Sequence, residues 1–194
     1  LAVGDRIYTE PHPDQASGLL VLAGVYLRTG QFARADSLAH RSLEIARRVR
    51  GGGEDAVGQA LSTLGVFAGT VGRADEALNY HQQALGMFKG SNAPKPSRIA
   101  TAMDNVAISL SGVGRFDEAD SVYRQAIPLK LEAYGPKNPA TLLTMNNYAR
   151  MKIFVGDVAG AEALYRDGLA GRRAALGDSS DQAAVPLSDM ARCA

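Results

Sequence analysis

The chain has 194 residues, of which 46% are hydrophobic and 21% are charged, a balance typical of folded proteins and not of disordered ones. Its 21 basic and 20 acidic residues leave a formal net charge of +1, which argues against nucleic-acid binding because that function needs a basic excess or patch. The longest apolar run, residues 19–27, is too short to cross a bilayer. The single cysteine, Cys193, excludes an internal disulfide and favours a reducing, cytoplasmic compartment.

An internal repeat is marked by four glycines spaced 42 residues apart, Gly30, Gly72, Gly114 and Gly156. Around each glycine the same offsets carry apolar or small residues. Eight residues before stand Leu22, Leu64, Val106 and Tyr148; seven before stand Ala23, Gly65, Ala107 and Ala149; five after stand Ala35, Ala77, Ala119 and Ala161. Four matched copies in one register predict a tandem array of one supersecondary unit.

In chain order, residues 1–13 are predicted to be the tail of an earlier repeat and a linker. Four complete repeats follow over residues 14–53, 54–96, 97–139 and 140–180, and residues 181–194 begin a truncated fifth. Apolar residues before and after each glycine follow the i, i+3, i+4, i+7 spacing of one helix face. Each repeat is therefore predicted to be a helix pair, and we expect the chain to be an excerpt of a longer protein.

Glycine and proline punctuate these predicted helices. The glycine between the two helices of a pair suits a tight turn that needs a positive φ. Breaker-rich segments such as 51–53 and 135–139 separate one pair from the next. Pro128 falls inside the predicted second helix of the third repeat, where it is expected to bend that helix or end it early.

This pattern resembles the tetratricopeptide repeat family, most clearly over residues 103–119 and 145–166. The 42-residue period, the asparagines of the first helix and the Gly-Pro-x-x-Pro linker at 135–139 resemble its kinesin-light-chain type. The resemblance implies an all-α fold, a right-handed superhelical solenoid of antiparallel helix pairs. Such repeats also occur in many bacterial proteins, often beside kinase or regulatory domains, and the Ala-, Gly- and Arg-rich composition favours a bacterial source.

The resemblance also implies a binding groove, because the first helices line the concave face in this family. The candidate groove residues lie two to ten positions before the glycines, and they are Asn105, Asn147, Asn146, Asp104, Arg150, Thr63, Arg28 and Phe154. An asparagine amide both donates and accepts, so it can pair with the backbone of an extended peptide, and Arg150 can contact an acidic group. Alternatively, the asparagines bond a neighbouring helix or cap a local turn.

No catalytic, metal-binding or cofactor-binding constellation appears in the sequence. His12, His40 and His81 lack the i, i+4 spacing of a helical metal site and are expected to be exposed or partly packed. Cys193 has no histidine partner in view. We therefore predict a non-catalytic scaffold that binds a protein or extended peptide within a larger regulatory protein. The alternative is a structural or self-associating spacer, and an enzymatic domain elsewhere in a longer parent stays open.

Overall fold

The computed structural model describes residues 11–49 and 53–176, with side chains as far as residue 171. Within these residues all regular structure is helical. The helices are α1 (Pro13–Arg28), α2 (Phe32–Arg48), α3 (Glu54–Thr70), α4 (Ala74–Gly90), α5 (Pro96–Gly112), α6 (Phe116–Tyr134), α7 (Pro139–Phe154) and α8 (Val158–Leu176). They form four consecutive pairs, so the predicted all-α helix-pair repeat is confirmed. Residues 1–10 of the predicted first fragment, 1–13, and the whole of the predicted fifth repeat, 181–194, lie outside the described residues.

A left-handed glycine joins the two helices of every pair. Gly30, Gly72, Gly114 and Gly156 have φ values of 73°, 82°, 79° and 83°. The residue after each glycine donates its amide to a carbonyl in the last turn of the preceding helix, as in Arg73 N to Ala68 O at 2.8 Å. This Schellman arrangement satisfies carbonyls that the helix end would otherwise leave unpaired.

The chain packs as two compact units, an N-terminal unit up to Ser109 and a C-terminal unit from Leu110, so the division falls inside α5. In the N-terminal unit α1 packs against α2 and α3, and α3 packs against α2 and α4. Small residues such as Ala39 and Ala60 are fully buried there beside Leu61 and Leu64. Because the alanine side chains are small, the helices approach closely, and the leucines fill the remaining space between them.

The C-terminal unit has an aromatic core. Here α7 packs against both α6 and α8. The rings of Tyr123 and Tyr148 stack with centroids 4.9 Å apart, and Tyr165 is buried against Ala149 and Ala161. Tyr123 and Tyr165 each stand nine residues after a turn glycine, and both are core residues.

Pro128 does not shorten its helix, so the expectation of an early end is wrong. Helix α6 runs without interruption from Phe116 to Tyr134. Pro128 is exposed, which allows water to reach the carbonyl that loses its hydrogen-bond donor, and this lowers the cost of a proline within a helix.

His81 is buried, so the expectation that it is exposed or partly packed is wrong. Its side chain lies in the interior beside Gly65 on α3 and Ser109 on α5. The residue stands nine positions after Gly72, as Tyr123 stands after Gly114. That shared offset was the signal that could have placed it in the core.

The conformation of Gly72 predicts a stability difference between two glycine variants. Gly72→Ala should lower the free energy of unfolding by roughly 1–2 kcal/mol, because alanine is strained in the left-handed region. Gly86→Ala is the matched control, since Gly86 is helical, exposed and has open space where a Cβ would lie. It should raise the free energy by about 0.4–1 kcal/mol. Urea denaturation measures both, and equal effects would contradict this account of the turn.

Candidate peptide-binding surfaces

The N-terminal unit exposes aliphatic side chains on its first helices. Val21 on α1 is 72% exposed, and Val66 on α3 and Ile108 on α5 are also exposed. Helix α1 packs beside α3, and α5 is tied to the start of α3 by an ion pair between Arg98 and Asp55 at 3.5 Å. The three helices therefore present these side chains on neighbouring elements, at offsets that the sequence assigned to a groove.

The threonines of this face hydrogen-bond within their own helices. Thr63 Oγ1 donates to the carbonyl of Gln59 at 3.1 Å, and Thr70 Oγ1 donates to that of Val66 at 2.8 Å. Thr101 makes the equivalent bond to Ser97 at 2.9 Å. Since each hydroxyl hydrogen is already used, the threonines offer a ligand a methyl group and an acceptor oxygen. Thr63, a predicted groove residue, is half-buried.

Asn105 and Asn147 have free side-chain amides. Both are half-buried on first helices, Asn105 on α5 and Asn147 on α7. Neither side chain forms a hydrogen bond with any other residue in 11–49 or 53–176. The donors and acceptors of both amides are therefore available to an external group, and the structure gives neither residue an intrahelical or capping bond.

One face of α7 in the C-terminal unit carries Leu143 and three of the candidate groove residues, Asn147, Arg150 and Phe154, and we call these four residues the α7 stripe. Their spacing of four, three and four residues places them on one side of the helix. Leu143 is 56% exposed and Phe154 is 76% exposed, and the Phe154 ring lies 5.1 Å from that of Phe116. Arg150 is exposed and forms no ion pair within the described part of the chain.

Two predicted residues at one offset are less accessible. Asp104 is 6% exposed, so a ligand would reach little of its carboxylate. Asn146, its counterpart on α7, has a buried Oδ1 without a hydrogen-bond partner among the described residues, and that oxygen lies towards Gly168 of α8. Arg28, at the end of α1, is exposed and has no ion-pair partner in the same part of the chain.

A polar network holds α7 against α6. Lys152 Nζ lies 2.6 Å from Asp120 Oδ1 and 3.0 Å from Asp157 Oδ2. The Tyr148 hydroxyl donates to the same Asp120 oxygen at 2.6 Å, and Arg124 Nε lies 2.7 Å from Asp120 Oδ2. Because Lys152 and Tyr148 belong to α7, the network positions the helix that carries the stripe.

The network stabilises the charged forms of its members. Burial alone would raise the pKa of Asp120, but hydrogen bonds from Lys152 and Tyr148 and the nearby positive charges lower it. The hydrogen bond with Asp120 raises the pKa of Lys152 despite partial burial. Hydrogen bonds from the Gly160 amide and from Lys152 lower the pKa of Asp157. All three groups are therefore ionised at neutral pH.

Sequence reasoning missed this network because its members come from different offsets in two repeats. Position +6 holds Asp36, Leu78, Asp120 and Glu162, and position −4 holds Tyr26, Ala68, Leu110 and Lys152. Neither offset is consistently polar, so the repeat pattern itself carries no sign of the ion pair. The only signal of the ion pair in the sequence was the opposite charge of Asp120 in the third repeat and Lys152 in the fourth.

Two kinds of feature are absent from the described ranges, 11–49 and 53–176. No group of three or more His, Cys, Asp or Glu residues is placed there to hold a metal ion. None of the helices in those ranges combines the length and the apolarity that a bilayer crossing requires.

The Asp120 network predicts a pH-dependent contribution to stability. Asp120→Asn should lower the free energy of unfolding at pH 7 by about 1–3 kcal/mol, because it leaves Lys152 without its nearest carboxylate. A carboxyl with a lowered pKa stabilises above its ordinary value of 3.8 and loses that contribution as the pH falls through the lowered value. The deficit of the variant should thus shrink below about pH 3.8.

Urea denaturation across this pH range measures the deficit. Glu118→Gln is the matched control, because it breaks an exposed pair with Arg115 and should change stability little. A deficit of Asp120→Asn that stays constant as the pH falls would contradict the assignment.

Comparison with solved structures finds the same fold in proteins of low sequence identity. The crystal structure of BtubC (BKLC) from P. vanneervenii matches with a TM-score of 0.78 and 24% identity, covering 93% of this chain and 72% of that one. Aspartyl phosphate phosphatase F from Bacillus subtilis matches at 0.77 and 16%, covering 96% of this chain and 46% of that one. A putative kinesin light chain from Podosopora anserina matches at 0.67 and 19%, covering 90% and 83%.

Comparison with curated protein sequences finds no match. The tetratricopeptide repeat family model matches residues 14–90 and 98–174, which make up most of the sequence. The helix pairs, the left-handed glycine turns and this match agree, and the chain belongs to the tetratricopeptide repeat family.

Proposed function

We propose that this chain is a non-catalytic docking scaffold whose first helices bind an extended peptide segment of a partner protein. The observation that carries the proposal is the pair of free, half-buried amides of Asn105 and Asn147. Each stands beside exposed apolar side chains on the same helix face. An amide so placed can accept from and donate to a peptide backbone whatever the peptide's side chains are.

Helices α5 and α7 repeat the same arrangement in the two units. On α5 the series is Thr101, Asn105 and Ile108; on α7 it is Leu143, Asn147 and Arg150. In both, the asparagine lies between side chains four residues before and three residues after it. The asparagine can hydrogen-bond the main chain of a peptide, and the residues on either side can contact the peptide's side chains. An extended ligand is recognised by this combination of contacts.

The apolar side chains supply most of the expected affinity. Burying one exposed aliphatic side chain contributes roughly 1.5–3 kcal/mol, whereas one neutral hydrogen bond contributes about 0.5–1.5 kcal/mol net. Ile108, Leu143 and Phe154 therefore account for binding strength, and the asparagines account for the placement of the peptide. Arg150 adds a preference for an acidic group on ligands of the C-terminal unit.

The wider setting belongs to the same proposal. A repeat array with free binding faces suits the docking part of a larger regulatory protein, and the single cysteine favours the cytoplasm. The similar folds carry names as different as kinesin light chain and aspartyl phosphate phosphatase. Since one scaffold serves such different proteins, the partner has to be found through the binding face and not through the fold.

Peptide binding can be tested with a displayed library of random peptides selected on the wild-type chain. For the selected peptides, Asn105→Ala or Asn147→Ala should weaken the dissociation constant by about 2- to 12-fold, the equivalent of one hydrogen bond. Fluorescence anisotropy measures the constant, and circular dichroism checks that the variants remain helical.

Matched controls lie on second helices. Asn79→Ala on α4 and Gln125→Ala on α6 replace exposed amides and should leave binding unchanged. If the controls weaken binding and the first-helix variants do not, the peptide occupies another face.

The spacer alternative has its own specific observation. Phe154, Val155 and Val158 are all exposed at the turn between α7 and α8, and an exposed apolar cluster can join two copies. A concentration-dependent dimer in sedimentation, abolished by Phe154→Ser, together with no selected peptide, would replace the peptide-binding proposal with self-association.

A further inference from the structure

His81 lies in the seam between the second and third repeats. It is 5% exposed, and its Nδ1 lies 2.8 Å from Ser109 Oγ on α5. On the other side its ring covers Gly65 of α3, where a Cβ would overlap the imidazole atoms. One side chain of α4 therefore contacts both the first helix of its own repeat and the first helix of the next.

Three positions differ together at this seam. Gly65, seven residues before its turn glycine, replaces the alanine of the other repeats (Ala23, Ala107 and Ala149). His81, nine residues after that glycine, stands where the later repeats have tyrosine (Tyr123 and Tyr165). Ser109, five residues before the next turn glycine, stands where the other repeats have an apolar residue (Val25, Phe67 and Met151). The glycine makes room for the ring, and the serine supplies a partner for its nitrogen.

The surroundings of His81 disfavour its charged form. Burial lowers its pKa, and the backbone of Ser62 offsets part of that effect. Nε2 is buried and has no hydrogen-bond partner in good geometry among the described residues. The ionisable residues of the helices that meet here are Glu54 and Asp55 on α3, Asp75, Glu76, Tyr80 and Lys89 on α4, and Arg98 and Asp104 on α5. None of them contributes to the lowered pKa.

We propose that His81 is a pH-sensitive link between the second and third repeats, which packs α5 against α4 when neutral and loosens that contact when protonated. Protonation places a charge in a buried site whose oxygens are the Ser109 hydroxyl and the Ser62 carbonyl, with no carboxylate. The Ser62 carbonyl offsets only part of the cost of burial, and Nε2 has no acceptor in good hydrogen-bond geometry among the described residues. The seam must therefore open or admit water to hold the imidazolium.

The sign of the effect follows from linkage. A histidine whose pKa is lowered on folding binds its proton more readily in the unfolded chain. Its contribution to stability is fully present above the ordinary value of 6.5 and declines as the pH falls from there towards the lowered value. Each pKa unit of lowering corresponds to about a tenfold change in the unfolding equilibrium.

Opening this seam also reaches the proposed binding face. Ser109 is adjacent to Ile108 and four residues from Asn105 on α5. Loosening of α5 changes the position of both side chains relative to α3. This consequence rests on the proposed function, whereas the link itself does not.

The experiment compares the wild type with the double variant His81→Phe/Ser109→Val, which gives the seam an apolar pair like those elsewhere in the array. Urea unfolding and amide exchange are measured at pH 7.5 and 5.5, and the His81 ring is titrated by NMR. For the wild type we expect a titration midpoint below 6.5, a lower urea midpoint at pH 5.5 and lower protection factors in α5. The double variant should lose most of that pH response.

His40→Gln is the matched control, because His40 is exposed on α2, and it should keep the wild-type response. A His81 midpoint at or above 6.5 would overturn the proposal, as would a response that survives in the double variant. If the double variant does not fold, His81→Asn replaces it, since asparagine retains a polar atom near Ser109 and does not titrate. Loss of peptide binding with an intact pH response would count against the proposed function alone.

Discussion

Close approach of two helices through a glycine turn is the constraint on which each repeat depends. The turn glycine takes a left-handed conformation, which brings the second helix back along the first within three residues. The helices can then touch only if the facing positions are small, and Ala35, Ala77, Ala119 and Ala161 are buried there. With the backbones so close, side chains at the remaining inward positions fill the core, and those on the outer side of the first helix are left free.

That freedom explains the character of the binding faces. Most polar side chains on the first helices are satisfied locally, as the threonines of α3 and α5 are by their own carbonyls. Asn105 and Asn147 lie on the same face but make no such bond within the described residues, and their amides stay free. The distinction between used and unused hydrogen-bonding groups therefore separates candidate ligand contacts from residues that only cover the helix.

Periodic features of this chain could be read from its sequence, and features specific to one junction could not. The helices, their turns and the burial of Tyr123 follow from positions that recur every 42 residues. Asp104 and Asn146 were grouped with Asn105 and Asn147 because they lie one residue away from them in the sequence. One residue along a helix turns a side chain by about 100°, however, and this is why Asp104 is buried while Asn105 is half-buried. The Asp120–Lys152 pair and the His81 seam join residues from different offsets, so their detection requires the distance between neighbouring helices.

The seam at Gly65, His81 and Ser109 has a consequence for how the repeats could be exchanged. A tandem array is often treated as a set of interchangeable modules. Here the second repeat carries a ring that excludes alanine at position 65, and it needs a hydroxyl from the repeat that follows. If the second repeat were copied to the position before the fourth, His81 would face Met151 instead of a serine. Replacing Gly65 by the alanine of the other repeats would be tolerated only after His81 had itself been replaced. The order of substitutions is thus restricted at this junction, and the second and third repeats can be exchanged only as a pair.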